Sequence, residues 1–510
     1  MHHRNKAVPV DLYRRSMTVA KLLCDVRGKY RLDFLREIEE QSGGEIQVSL
    51  IAGDRGADLF SRPINTMKRD WRHERLRKHH MQDTVHQSAN LDLVSSNEFH
   101  DMATMAIDHF QRVSKNYNYN SHNLDNLQDY LDYYYILTDV IAQRMIDEEI
   151  THVVFFMTPH LGYDTVLYQV AKSLGIKTLV MNQQSLFNDR FFSSGSIDDY
   201  GIFDPSQSEA PAITLEQGKL PDLFFMKDDW QKPGATGKLN AKAVGSFLKY
   251  VARREPSLLL KPHHLYKLLK RVSNVYGSLP EWRDPFANYF HKNALAYYEH
   301  LAEFDRGSVD YNQKYVYVPL HNQPEMSAST LGGRYRDQLL MIEAIARSVP
   351  DDWKVYVKEN PRQGVFARGP FFFHRLSRIP NVEMLPSFAD SAALVANAQI
   401  VGTVAGTAGW EGLLSGVPAV VFGGAWYRSL PGVTPYQEGL DFEKIAAAGV
   451  DHTALEKAYG ALVDRSHKGA IDGLFFDKIE GFNSADNAAC VAKSVIGLIR
   501  GDVPTTYGTL

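Results

Sequence analysis

The 510-residue chain has two cysteines, Cys24 and Cys490. Neither a disulfide framework nor a cysteine-rich zinc module can be built from them, and a reducing compartment is expected. Long hydrophobic runs are also missing. No segment reaches ~18 uninterrupted apolar residues, so no transmembrane helix is expected. A secretory leader is not expected either: Met1 to Arg15 is polar and basic, and the apolar stretch Met17 to Cys24 is too short before Asp25 and Arg27. Neither sign of charge dominates, with 56 basic and 60 acidic residues leaving a net charge of −4, which argues against a nucleic-acid partner. No GxxxxGKS/T, HExxH or GxSxG pattern occurs, and the pairs His2-His3, His79-His80 and His263-His264 lack metal-ligand spacing. A P-loop ATPase, a zincin and a serine esterase are therefore disfavoured, and no metal and no cofactor are expected. What remains is an ordinary globular composition, 44 % hydrophobic and 23 % charged, on a chain long enough for two to four domains at about 150 residues each.

Periodicity organises it. DFLREIEEQ, Gly43-Gly44 and EIQVSLIAG read as helix, turn and strand, and FHDMATMAIDHFQRV as one helix. From Leu127 to Glu149 apolar and aromatic residues recur at helical spacing, with the tyrosines as core packing. The buried strand HVVFFM, the turn TPHLGYD, the helix TVLYQVAKSLG and the strand KTLVMN then form a βαβ unit, which implies a parallel sheet. A second alternation of strands and helices runs from Lys314 to about residue 424, and a helical stretch closes the chain. The expected architecture is α/β: two doubly wound, Rossmann-like domains facing a cleft. The boundaries are 1–204 for a first α/β domain, 205–310 for a helical insert, 311–440 for a second α/β domain and 441–510 for a helical tail. Ligands in such sheets sit at the carboxyl ends of strands.

Four stretches carry chemistry there. In QIVGTVAGTAGWEGLLSGVPAVVFG (399–423), Gly402, Gly406 and Gly409 surround small hydroxyl residues where a strand hands over to a helix. Such a turn lets backbone approach an anion at the helix start; Thr403 and Thr407 add hydroxyls and Glu411 an acceptor for a ribose. A tight helix–strand contact asks for the same small residues. In VYVKENPRQ (355–363), Lys358 and Arg362 bring positive charge to a strand end and Pro361 stiffens the exit, although Glu359 paired with Lys358 in a solvated loop fits as well. In PLHNQPEMSASTLGG (319–333), His321, Asn322, Gln323 and Glu325 directly follow a strand, and a carboxylate there can serve as a base. In TPHLGYD, Asp164 either caps the following helix or, with His160, faces the acceptor or the reacting sugar carbon. A basic run, RREPSLLLKPHHLYKLLKR (253–271), suits either an anionic membrane surface or a solvated helical face.

Over roughly residues 314 to 432, the QPE loop with LGG, the VKE-x-P-x-Q segment, RGPFFFHRLSRIPNVEMLP and TVAGTAGWEGLLSGVPAVVFGGAWYRSLPGV resemble bacterial capsule and surface polysaccharide biosynthesis proteins, a group related to retaining Kdo-type transferases of the two-domain GT-B class. The resemblance implies a glycosyltransferase; the cysteine count points to the cytoplasm, and the run 253–271 is the candidate contact with the inner face of the membrane. Such an enzyme would move a sugar from a nucleotide donor, often a CMP-linked acidic sugar in such relatives, to a glycan or glycolipid acceptor of capsule or lipopolysaccharide type. By the same carry-over Lys358, Asn360, Pro361, Arg362, Gln363, Thr403, Gly406 and Thr407 face the donor phosphate, Glu411 the nucleoside, and Gln323 and Glu325 the cleft. Asp164 or Glu325 would act as base or nucleophile beside His160. Two departures stand out: Asn360 replaces the family's usual His before the proline, and Ala405 its usual Ser or Thr. They keep open a nucleotide-sugar 2-epimerase and a non-catalytic glycan-binding partner as alternatives.

Overall fold

The structure, a computed structural model, describes residues 19–53, 57–59, 95–117, 126–184, 187–218, 252, 256–258, 260–267, 270, 294–323, 325–361, 363 and 368–508. The chain opens with strand β1 (Ala20–Val26), helix α1 (Tyr30–Ser42) and β2 (Ile46–Gly53), followed by the long helices α2 (Asn97–Tyr117) and α3 (Leu127–Asp147). The βαβ unit comes next as β3 (His152–Phe155), α4 (Tyr163–Ser173) and β4 (Lys177–Asn182), and β5 (Arg190–Ser194) follows. β1 to β4 are parallel, and β5 runs antiparallel to β4. Their order across the sheet, β5-β4-β3-β1-β2, changes direction between β1 and β3. Continuous apolar runs such as HVVF are buried on both faces, as a parallel sheet covered by helices requires.

The second unit begins with α5 (Ala294–Phe304), β6 (Tyr315–Pro319), α6 (Met326–Ser329), α7 (Gln338–Ser348), β7 (Lys354–Lys358), α8 (Pro370–Leu376) and β8 (Val382–Leu385). It continues through α9 (Ser391–Ala396), β9 (Ile400–Thr403), α10 (Thr407–Leu414), β10 (Ala419–Val421) and β11 (Val433–Pro435). All six strands are parallel, in the order β11-β10-β9-β6-β7-β8. In chain order this is 3-2-1-4-5-6, the doubly wound arrangement that leaves a crevice between its first and fourth strands, here β6 and β9. Aspartates at the helix starts help set the elements: Asp337 accepts the Leu339 N–H at 3.2 Å and Asp390 the Ala392 N–H at 2.9 Å. Two Rossmann-like domains are thus present, as the sequence pattern predicts.

Beyond residue 441 three helices, α11 (Phe442–Ala448), α12 (His452–Arg465) and α13 (Ser484–Arg500), are joined by a two-residue strand, β12 (His467–Lys468). β12 pairs with β5 at the edge of the first sheet, and α13 packs its Val491, Val495 and Ile496 into the core cluster that holds Phe34 and Ile38 of α1. The end of the chain therefore returns to the first domain. An aromatic cluster ties the halves further: Phe187, Phe192, Tyr200 and Tyr507 share a core with Trp410, Trp426 and Tyr427. Tyr134 and Tyr130 of α3 are buried as expected, whereas Tyr135 is partly exposed. Among the described residues no helix is long and apolar enough to cross a membrane. Most of the segment 205–310 and residues 253–255, 259, 268–269 and 271 of the basic run lie outside the described residues.

Candidate functional site

The crevice of the second sheet is organised around His321, the second residue after β6. Its Nε2 accepts the Val404 N–H at 3.1 Å and lies 3.0 Å from Thr403 Oγ1, while that hydroxyl accepts the Gly406 N–H at 3.1 Å. A backbone N–H pointing at Nε2 requires a lone pair there, so the ring proton sits on Nδ1. Burial, reinforced by the Arg368 guanidinium, pulls the imidazole down to about 4 and keeps it neutral. Gly406 runs along the ring edge: a Cβ there would stand 2.6 Å from Cε1 and 3.2 Å from Nδ1. Glycine at 406 thus lets the start of α10, with its unpaired N–H groups, close on the imidazole. Tyr427 OH donates to the Gly406 carbonyl and fixes the turn from behind.

Lys358, at the end of β7, is buried, and its Nζ donates to the Ser387 carbonyl at 3.3 Å. Burial lowers its ammonium to about 8 against the raising pull of Glu359, Asp390 and Glu411. Glu411 is also buried; burial raises its carboxyl, opposed by a hydrogen bond from Thr407 and by Lys358. A buried ammonium and a buried carboxylate therefore flank the first turn of α10. Glu359 has a different role. It takes the Asn360 N–H at 2.7 Å and the Tyr297 hydroxyl at 3.2 Å, and its Oε2 stands 3.1 Å from Arg368 Nε as an ion pair. This buried ion pair joins the β7 exit to Arg368, whose Nη2 donates to the His321 carbonyl at 2.8 Å.

Other candidates brace loops. Gln363 Oε1 accepts the Gln323 N–H at 2.7 Å and its Nε2 returns a bond to the Gln323 carbonyl at 3.0 Å, while Gln323 Nε2 donates to the Arg336 carbonyl at 2.5 Å. These glutamines clamp the β6 and β7 exits together. Thr403 is fully buried against His321, Thr407, Asn360 and Pro361 are half-buried, and Glu325 is exposed with its Oε1 accepting Asn322 Nδ2 at 3.1 Å. Arg362 lies outside the described residues.

In the first domain Asp164 is fully buried and accepts the N–H groups of His160, Leu161 and Thr165 at 3.0, 2.7 and 2.8 Å. Arg27 Nη2 stands 3.5 Å from its Oδ2. It shapes the turn into α4, where Gly162 adopts φ +94° with the Phe110 ring packed where a Cβ would lie. His160 is half-buried, with Nδ1 at 2.8 Å from the Thr158 carbonyl, and burial beside Arg27 lowers its imidazolium. Asp25, at the end of β1, accepts the Tyr163 hydroxyl at 2.7 Å. Its carboxyl is raised by burial. This turn meets the second domain, where Thr330 Oγ1 donates to the Pro159 carbonyl. Asp25, Arg27 and Arg368 escaped the sequence reading, and His321 was noted there without a role. Arg27 and His321 stand just after a buried strand, which is a readable signal; Asp25 lies within β1 and Arg368 ten residues beyond β7, where no local pattern marks them.

Residues 280–464 match the family model described as capsule polysaccharide biosynthesis protein. The matched stretch spans the whole sheet of the second domain, β6 to β11. The chain is also similar to the solved structure of the Thermosulfurimonas dismutans KpsC beta Kdo 2,7 transferase, at 8 % identity, over 73 % of this chain and 91 % of that one, with a TM-score of 0.29. The same organism's KpsC beta Kdo 2,4 transferase matches at 12 % identity over 61 % and 79 %, TM-score 0.25. The UDP-GlcNAc 2-epimerase of Methanocaldococcus jannaschii matches at 12 % identity over 94 % and 99 %, TM-score 0.21. No curated protein matches.

Proposed function

We propose that the protein is a glycosyltransferase of capsule assembly that binds a nucleotide sugar at the β6/β9 crevice. The observation that carries this reading is the His321 ring edge beside Gly406 at the start of α10, with the buried Lys358 ammonium at the end of the adjoining strand β7. A departing nucleotide phosphate gains charge as its bond to the anomeric carbon breaks, and donors held in place before the reaction stabilise that charge without reorganising. Glu411 accepts the ribose hydroxyls one turn further on. The acceptor hydroxyl attacks the anomeric carbon and its proton passes to Glu325, the exposed carboxylate of the β6 exit. Asp164, enclosed by backbone N–H groups, positions the turn that carries His160. In this reading Asn360 does not cost the site its donors, because His321 supplies an imidazole from another strand.

The test is a calorimetric titration of the purified protein with CMP, CDP, UMP, UDP and GDP, repeated on Lys358→Ala and Glu411→Ala. One nucleotide should bind, and both substitutions should weaken it; that nucleotide then selects the sugar donors for a transfer assay. A folded protein that binds none of the five ends the donor-site assignment. Hydrolysis or epimerisation of the free nucleotide sugar without an acceptor would move the reading to a 2-epimerase.

A further inference from the structure

A cavity of about 580 Å³ opens beside the crevice and is lined from both domains. Its floor is Arg368, whose side chain is 1 % exposed. Nε and Nη2 face Glu359 and the His321 carbonyl, but Nη1 is buried with no hydrogen-bond partner. Arg334, Arg336 and Arg375 stand on the walls. Arg375 is held by Asp337 at 3.2 Å and Glu343 at 2.9 Å, and Arg336 reaches Asp108 of α2 at 3.4 Å. Arg334 forms no ion pair among the described residues; its guanidinium lies 4.9 Å from the Tyr335 ring centre and donates to that hydroxyl at 2.8 Å. At the rim Phe371 is 68 % exposed.

We propose that this cavity binds an acidic sugar of the glycan acceptor. The inference rests on the transferase reading above. A buried guanidinium with a bare N–H and a second guanidinium lacking a carboxylate are matched by an oxyanion, which arginine holds in a planar, often bidentate pair. The rim adds what a free anion does not need: an exposed aromatic face, on which the apolar C–H face of a pyranose packs, and the carboxylates of Asp108 and Asp337, which accept hydroxyl hydrogen bonds. The volume suits a mono- or disaccharide. The acceptor is favoured over the donor by position. The wall includes Asp108 from the first domain, whereas the 404–407 turn and Glu411 do not line it. Arg368 and Gln323 connect it to the crevice, so a sugar seated here lies beside the proposed donor.

The experiment uses trigalacturonic acid, maltotriose and inorganic phosphate, each titrated without nucleotide into the whole protein and into Arg334→Gln and Phe371→Ala. Both side chains are solvent-exposed, and circular dichroism checks that the variants fold. Trigalacturonic acid is expected to bind, to weaken in high salt, and to lose affinity about tenfold or more with Arg334→Gln, as removal of a charge-assisted bond implies. Phe371→Ala weakens it too, and maltotriose and phosphate bind less well. Absence of trigalacturonate binding, binding that neither substitution alters, or equal binding of maltotriose overturns the proposal. Equal binding of phosphate reduces the cavity to a bare oxyanion site and overturns it as well. The nucleotide titrations on the same two variants should match the unsubstituted protein. If no nucleotide binds at all while trigalacturonate does, the donor assignment falls and the acidic-sugar site stands.

Discussion

The two sheets place polar residues at equivalent points, the carboxyl ends of the strands where the winding changes direction, and use them in opposite ways. In the first domain the fold supplies most of the partners, Asp25 Oδ2 excepted. Asp164 is enclosed by three backbone N–H groups, and Asp25 is held by the Tyr163 hydroxyl. In the second domain, at the proposed donor site, the fold supplies fewer partners. His321 has its acceptor nitrogen occupied and its N–H edge beside Gly406, and Lys358 is a buried ammonium that donates to the Ser387 carbonyl. Satisfied polar groups stabilise a fold; buried groups kept short of partners weaken it and gain them from a ligand. The comparison teaches that a charged residue at a strand end is functional according to which partners the fold has already supplied.

The largest effect that tests this is Asp164→Ala. It leaves three N–H groups of the 160–165 turn without their acceptor and removes one of the two carboxylates beside Arg27, and a loss of about 3 to 5 kcal/mol is expected from such uncompensated burial. Urea unfolding followed by circular dichroism measures it. Nucleotide affinity of the folded fraction should stay within about twofold, since the turn meets the second domain at Thr330 through the Pro159 backbone carbonyl, which the substitution leaves in place. A variant with unchanged stability and abolished sugar transfer would reverse the comparison and make Asp164 a reacting group.

The contrast was only partly legible in the sequence. The loops of the second domain were readable because each is local: a buried strand, a short polar run, a glycine and a helix. Their internal wiring was not, since His321 meets Thr403 across 82 positions and Arg368 across 47. The first domain was harder. β1 contributes only the apolar core LLC between charged residues, and β5 is a five-residue RFFSS, so neither shows a long period. β12 is two residues long and exists because the tail crosses back to pair with β5, a tertiary event with no local signature. Asp164 was ambiguous for the same reason: Arg27, 137 positions away, belongs to its surroundings.

The proposed donor site makes a prediction of intermediate size. Burial brings the Lys358 ammonium to about 8, so its charge is present at neutral pH and lost as pH rises. If that charge holds the phosphate, nucleotide affinity falls about tenfold between pH 7 and pH 9, because one unit on either side of the pKa converts a mostly charged into a mostly neutral amine. Lys358→Met should weaken binding at pH 7 by roughly 30-fold, abolish the pH dependence and stabilise the unliganded protein, since an ammonium is no longer desolvated on folding. A calorimetric pH series on both proteins decides it. Loss of stability in Lys358→Met would show instead that the ammonium is held as firmly as Asp164.

The smallest effect separates His321 from Lys358 within the same crevice. With its imidazole brought down to about 4, His321 is already neutral at pH 5, so acidifying from pH 7 to pH 5 leaves the donor N–H on Nδ1 unchanged. Once the nucleotide phosphate's own second ionisation at about 6 is corrected for, affinity should be flat within about twofold across that range, in contrast to a free imidazole, whose ordinary value near 6.5 would add a charge there. His321→Phe removes one neutral hydrogen bond to the phosphate, about 1 kcal/mol or roughly fivefold in affinity. The same titrations read both quantities. A rise in affinity on acidification that disappears in His321→Phe would mean that His321 acts as an imidazolium, and that the Val404 N–H does not hold Nε2 as an acceptor once the ligand is bound.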